Sequence, residues 1–153
     1  MPPKRVGRGI PSLLTASDTS PRSPRVLMVD DNEDNRDLYM TGLTAEGFEM
    51  HDARDGREAI ERARAIRPDV IVMDLGLPGV DGWAATRRLK ADPVTARIPV
   101  IALTAHSLDD SRKKAVAAGC DVFCTKPCLP DELAQKIRGV LGRRKKPRSR
   151  PRA

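Results

Sequence analysis

Long apolar runs are missing from this chain. None approaches the ~18 residues that a membrane span requires, which excludes a helical membrane protein. The N-terminus is basic, but Ile10 to Ala16 is broken by Pro11 and Ser12 and makes too weak a core for a signal peptide. Cysteine is sparse. Cys120, Cys124 and Cys128 form no C-x-x-C pair and have no histidine beside them, so neither a zinc site nor a thioredoxin motif follows. They are expected to be reduced thiols packed as small apolar residues. Cys124 stands two residues before Lys126, and nothing in the sequence assigns it a redox role. Aromatic residues make up 3% of the chain and none lies in the basic C-terminal stretch, which removes base stacking there. No internal repeat is visible. A cytoplasmic protein without membrane contact is expected.

Charge is plentiful but uneven. The 153 residues carry a net charge of +7. Residues 1–25 contribute +4 and residues 143–153 contribute +7, which leaves −4 on the 117 residues between them. The basic balance belongs to the tails, so it is no argument for a nucleic-acid-binding fold. Residues 1–24, rich in Pro, Ser, Thr, Arg and Gly, read as a disordered leader, and residues 143–153 as a disordered polybasic tail. Residues 25–142 are long enough to bury one core.

Within that span strand and helix patterns alternate. Strands are expected at about 25–29, 48–52, 69–74, from Ile98, and at 121–125. Helices are expected at about 33–46, 57–66, after the loop Leu75 to Gly82 as far as about Ala91, 107–118, and over the stripe Leu133, Ile137, Val140 and Leu141, ending at Gly142. Gly47 and Gly119 are placed as glycines that follow a helix end, and Pro68 prevents the second helix from continuing. Runs such as Val26 to Val29 and Val70 to Met73 are apolar throughout, the mark of strands buried on both faces of a parallel sheet. Five strands alternating with five helices make a doubly wound α/β domain.

Polar residues stand where the apolar runs stop: Asp30 and Asp31, Asp74, Thr104 and Lys126. In an open α/β sheet, ligands bind beyond the strand C-termini. Three carboxylates, a hydroxyl and an ammonium would share one pocket there. Crowded carboxylates raise one another's pKa, and a hard cation relieves the conflict. Mg²⁺ takes oxygen ligands and keeps several waters, which suits a site with few protein ligands. Asp74 would serve as nucleophile, since aspartate accepts phosphoryl groups. Lys126 would neutralise phosphoryl oxygens and the Thr104 hydroxyl would bind one of them. Transfer of this kind needs mostly positioning and charge neutralisation.

Val29-Asp30-Asp31-Asn32, the stretch from Met73-Asp74 through Pro78-Gly79 to Asp81-Gly82, Leu103-Thr104-Ala105 and Thr125-Lys126-Pro127 occur in that order. In order and spacing they resemble the receiver domain of two-component response regulators, over about Arg25 to Gly142, and the chain is similar to single-domain, chemotaxis-type members. The resemblance implies a flavodoxin-like fold of five parallel strands in the order 2-1-3-4-5. It also implies Mg²⁺-dependent (or Mn²⁺-dependent) phosphoryl transfer to Asp74 from a partner's phosphohistidine, on a histidine kinase or a histidine phosphotransfer protein. By position Asp31 matches a direct metal ligand, Asp30 one acting largely through water, and Gly76 a ligand through its backbone carbonyl. Thr104 and Phe123 match the hydroxyl–aromatic pair that reports phosphorylation, and the Lys126-Pro127 peptide is expected to be cis. Downstream protein contact is expected through helix 4, strand 5 and helix 5. Such a domain signals and is no ordinary enzyme: it would catalyse its own phosphoryl transfer and autodephosphorylation. Gly76 and His106 flank the path of the hydrolysing water in receivers; His106 either orders a water or sits in solvent.

Plainer readings stand beside these. Asp30-Asp31 alone would be a helix-capping acid pair, and Lys126 alone a surface lysine. Trp83 is expected to pack helix 3 against the sheet, and His51 to be an ordinary strand residue. Arg112-Lys113-Lys114 reads as a solvated helix face. Two other functions compete: a receiver-gated adaptor whose basic tails touch nucleic acid, and a haloacid-dehalogenase-like phosphatase. The latter wants its nucleophile after strand 1, whereas the best-placed aspartate here follows strand 3. Neutralising seven phosphates through the C-terminal tail would give a log–log salt slope near about −6 at most. If the tail is only a solvated end, a chain stopping at Gly142 will bind nucleic acid as well as the full chain in a filter-binding or anisotropy titration; a loss of binding would establish the contact.

Overall fold

The structure, a computed structural model, describes residues 22–75, 82–104, 113 and 116–145. Strands β1 (Arg25–Val29), β2 (Glu49–Ala53), β3 (Val70–Asp74), β4 (Val100–Thr104) and β5 (Val122–Thr125) form one parallel sheet. Their order is β2-β1-β3-β4-β5, as the resemblance implied. Helices α1 (Glu33–Ala45), α2 (Gly56–Ile66) and α3 (Gly82–Ala91) separate the first four strands, and α5 (Pro130–Lys145) closes the fold. The described residues of α4 are 113 and 116–118.

The all-apolar strands sit where that pattern requires them. Every residue of β3 is buried, as are the last four of β1. Alternate side chains of β1 serve opposite layers. Val26 and Met28 join Tyr39 and Leu43 of α1 and Leu133, Ile137 and Val140 of α5. Leu27 and Val29 join Ala59 and Ala63 of α2 and Ala85 and Leu89 of α3, with Trp83 half-buried against them. The domain is a helix–sheet–helix sandwich whose two cores share the sheet.

Helix ends follow local chemistry. The Asn32 side chain accepts from Asn35 N–H at 2.8 Å to start α1, and Asp55 accepts from Glu58 N–H at 2.9 Å to start α2. Gly47 and Gly119 adopt φ of +100° and +101°, the left-handed backbone that glycine takes at least cost. The second helix ends at Ile66, as expected. Arg67 takes the left-handed cap at φ 52°, just before Pro68. The last helix does not stop at Gly142 but runs to Lys145. Gly142 is not among the positive-φ glycines, and the three residues after it are basic, a composition that a helix C-terminus favours. His51 is a strand residue whose Nε2 lies 2.7 Å from Glu49 Oε2.

The cysteine expectation fails. Cys124 and Cys128 are joined by a disulfide, and only Cys120 is free. Four steps of extended chain would span about 13 Å, too far for a bridge. The chain turns after β5 instead and brings the two Cα atoms to 6.2 Å, within disulfide range. Both half-cystines are buried in the layer with α1 and α5.

Close approach of α1 to α5 sets one strict requirement. A Cβ on Gly42 would lie 2.5 Å from Pro130 Cβ, whereas one on Gly139 of α5 would meet nothing within 4 Å. Gly42→Leu should therefore cost about 1–3 kcal/mol through overpacking. Gly139→Ala should gain about 0.5–1 kcal/mol by removing a flexible residue from a helix. Urea unfolding checks both, and equal effects at the two positions would contradict this packing.

Candidate functional site

The C-terminal ends of β1, β3, β4 and β5 meet at one edge of the sheet. Val29 pairs with Met73, so the residues that follow, Asp30 and Asp74, lie side by side beyond adjacent strands. Asp74 pairs with Leu103, and Thr104 with Thr125, which brings Thr104 and Lys126 to the same rim. The Lys126 N–H donates to the Thr104 carbonyl at 2.8 Å and extends that ladder by one step. The Lys126–Pro127 peptide is cis, as expected.

Carboxylate oxygens of Asp30, Asp31 and Asp74 lie within 4.8 Å of one another. Lys126 Nζ is 3.4 Å from Asp74 Oδ2. Asp30 and Asp74 are buried, while Asp31 is exposed to solvent. Burial pushes the Asp30 carboxyl above its ordinary range, and the charges of Asp74 and Asp31 push the same way. The Asn32 N–H, donating to Asp30 Oδ1 at 2.9 Å, and the Lys126 ammonium pull against that rise. The other oxygen, Oδ2, is buried without a hydrogen-bond partner among the described residues. A buried acceptor in this condition costs free energy, and a cation among the three carboxylates would satisfy it. An all-oxygen, few-ligand donor set fits a hydrated Mg²⁺.

Other residues hold these groups in place. Arg36, one turn into α1, donates from a guanidinium nitrogen to the Asp30 carbonyl at 2.9 Å and from Nε to Asp52 Oδ2 at 3.3 Å. The Tyr39 hydroxyl donates to the Cys128 carbonyl at 2.6 Å and ties α1 to the chain that carries Lys126. Gly82 lets α3 press against the end of β3, since a Cβ there would sit 2.6 Å from the Asp74 carbonyl oxygen. Sequence reasoning missed Arg36 and Tyr39. Arg36 joins the Asp30 carbonyl to the Asp52 side chain on another strand, and Tyr39 reaches a carbonyl 89 residues away; no spacing signals such contacts. Phe123 is half-buried against the α2–α3 core, opposite Ala102 in the β4–β5 ladder. Gly76 and His106 lie outside the described residues.

Residues 26–138 match the response regulator receiver domain. This chain belongs to that family. It is 38% identical over 117 residues to the polar-differentiation response regulator DivK of Brucella anthropi, covering 76% of this chain and 95% of DivK. It is 39% identical over 127 residues to the transcriptional regulatory protein PrrA of Mycobacterium leprae. That match covers 83% of this chain and 54% of PrrA, so the chain spans about half of that relative. Among solved structures, chemotaxis protein CheY4 of Vibrio cholerae superposes with a TM-score of 0.74 at 28% identity, over 77% of this chain and 98% of CheY4. The receiver domain of sensor histidine kinase PA1611 from Pseudomonas aeruginosa gives 0.74 at 33% identity, over 78% and 98% of the two chains, with magnesium coordinated in its active site cleft. Receiver domains are phosphorelay signalling modules and bind Mg²⁺ at an acidic site, and this chain gathers three aspartates at the rim of its sheet. The match places the chain in the receiver family and not in the haloacid-dehalogenase-like one. No described helix is long and apolar enough to cross a membrane.

Because folding raises the Asp30 pKa above 3.8, the folded state binds that proton more tightly than the unfolded state does. The resulting penalty is absent below 3.8, grows as pH rises from there to the folded value, and is complete above it. Asp30→Asn keeps an acceptor for the Asn32 N–H and removes the charge. In chelator-treated buffer at pH 7 the variant should unfold at higher urea than the wild type. Saturating Mg²⁺ should stabilise the wild type more than the variant, because a ligand stabilises the state that binds it. A variant less stable than wild type without metal would contradict the charge-crowding account.

Proposed function

We propose that this chain is a response regulator that accepts a phosphoryl group on Asp74 from a phosphohistidine, borne by a histidine kinase or a histidine phosphotransfer protein. The observation that carries the reading is the ammonium of Lys126 3.4 Å from Asp74, with two further carboxylates within 4.8 Å of it. An Asp74 carboxylate oxygen forms the new bond to phosphorus as the histidine N–P bond breaks. The electron pair of that bond stays on the imidazole, which takes up a proton. Lys126 faces the phosphoryl oxygens and balances their charge, while the Thr104 hydroxyl binds one of them. Mg²⁺ (or Mn²⁺), held by Asp30, Asp31, Asp74 and the Gly76 carbonyl, would supply the remaining charge neutralisation.

Signalling follows from the same groups. Drawing Thr104 toward the phosphoryl group opens space beside β4, and Phe123 on the adjacent strand turns into it. The change is read by a protein partner at the surface of α4, β5 and α5, where Lys113 and Val116 are exposed. Water then returns Asp74 to its free form. The receiver occupies residues from about 25 to the end of α5 at Lys145, with the leader 1–24 and the rest of the basic tail outside it. The cytoplasm, where phosphohistidine donors are made, is the compartment that suits this role.

Incubation with acetyl phosphate and Mg²⁺ should add one phosphate to the wild type by intact mass and none to Asp74→Asn. Lys126→Ala should lower the rate by at least about tenfold, in line with loss of an electrostatic group worth a few kcal/mol at a transition state. Equal phosphorylation of Asp74→Asn and wild type would reject the assignment.

A further inference from the structure

The disulfide frames the site. Cys124 is the third residue of β5 and pairs with Leu103 of β4, whereas Cys128 lies just beyond the cis proline. Lys126 is midway between them, so the bond closes a five-residue ring around the ammonium that faces Asp74. The ring is fastened at two other points, by the Lys126 N–H to the Thr104 carbonyl and by the Tyr39 hydroxyl to the Cys128 carbonyl. Both sulfurs lie in the α1–α5 core, but Thr125, Pro127 and Leu129, which alternate with the half-cystines and Lys126, are exposed. The ring is thus a surface loop with its crosslink turned inward. Cys120 does not compete for the bond. It packs on the other side of the sheet, and burial pushes its thiol up to about 11, leaving almost no thiolate at neutral pH.

We infer that the Cys124–Cys128 pair is a redox-active site that governs how firmly Lys126 is held, and so how fast Asp74 is phosphorylated. This rests on the phosphoacceptor reading above. In a glutathione- and thioredoxin-buffered compartment, disulfides of mesophilic proteins are usually transient and redox-sensing. The co-reactant is a dithiol. One of its thiolates attacks a ring sulfur and breaks the S–S bond, giving a mixed disulfide. Its second thiol displaces that sulfur, leaving two protonated cysteines here and a disulfide on the reductant, two electrons and two protons having been transferred. A disulfide of the same class reverses the exchange. Opening the ring leaves the Lys126 segment fastened by hydrogen bonds alone. Loss of positional precision at a reacting group lowers the rate.

The test compares the full chain equilibrated in reduced and in oxidised dithiothreitol, each sample alkylated and weighed intact to read the state of the bond. Initial phosphorylation rates are measured in parallel with acetyl phosphate and Mg²⁺. The bond should open and close, and the reduced protein should take up phosphate at least about threefold more slowly. Cys124→Ser/Cys128→Ser should show the slow rate in both buffers, and Cys120→Ser should keep the redox response. Equal rates in the two states, a bond that never forms or never opens, or a double variant that still responds would each overturn the inference while leaving phosphorylation of Asp74 intact. Absence of phosphate in every form would overturn the phosphoacceptor reading and the inference with it.

Discussion

Three carboxylates are held closer together than their charges favour, and the rest of the structure is arranged around that fact. A parallel sheet ends all its strands at one edge, so residues far apart in sequence share a rim once β1, β3, β4 and β5 are paired. Asp30 and Asp74 are buried there, and burial, the larger influence on Asp30, adds to their mutual repulsion. Lys126 and the Asn32 N–H offset part of this. One oxygen of Asp30 is left with no donor among the described residues. A cation among the three carboxylates would satisfy it and relieve their repulsion.

Holding that geometry falls to residues without chemistry of their own. Arg36 grips the backbone of Asp30 and the side chain of Asp52, joining the ends of β1 and β2 through α1. Gly82 admits α3 to the backbone of Asp74. Tyr39 fastens α1 to Cys128, and Gly42 one turn later lets Pro130 come close. The start of α5 is therefore located by α1, and with it the loop bearing Lys126. The Asp30 carboxylate and the Lys126 ammonium are positioned by different elements that share α1 as a common support. A disturbance of the α1–α5 contact would reach the site through that loop.

Much of this was legible beforehand, for identifiable reasons. Uniformly apolar runs such as Val70 to Met73 mark strands buried on both faces, and their abrupt polar ends mark the rim. Gly47 and Gly119 mark helix ends because their backbone is left-handed. Boundaries carrying no such mark were less legible. Gly142 resembled a stop but has ordinary helical neighbours, and α5 continues through basic residues that suit its C-terminus. Arg67 ends α2 in a left-handed conformation that its residue type does not announce. The disulfide was hidden because a spacing of four fits no common pairing motif; a turn after β5 brings the two Cα atoms to 6.2 Å.

Residue order determined the alternation of strand and helix, the two-sided burial of the central strands and the chemical types gathered at their ends. Those depend on local periodicity and on the polarity of single positions, which a chain carries before it folds. The tertiary structure alone decided the 3.4 Å approach of Lys126 to Asp74, the unsatisfied oxygen of Asp30, the grips of Arg36 and Tyr39 and the closing of the cysteine ring. Each of these is a relation between segments many residues apart or across a turn, and it exists only once the sheet has brought them into contact.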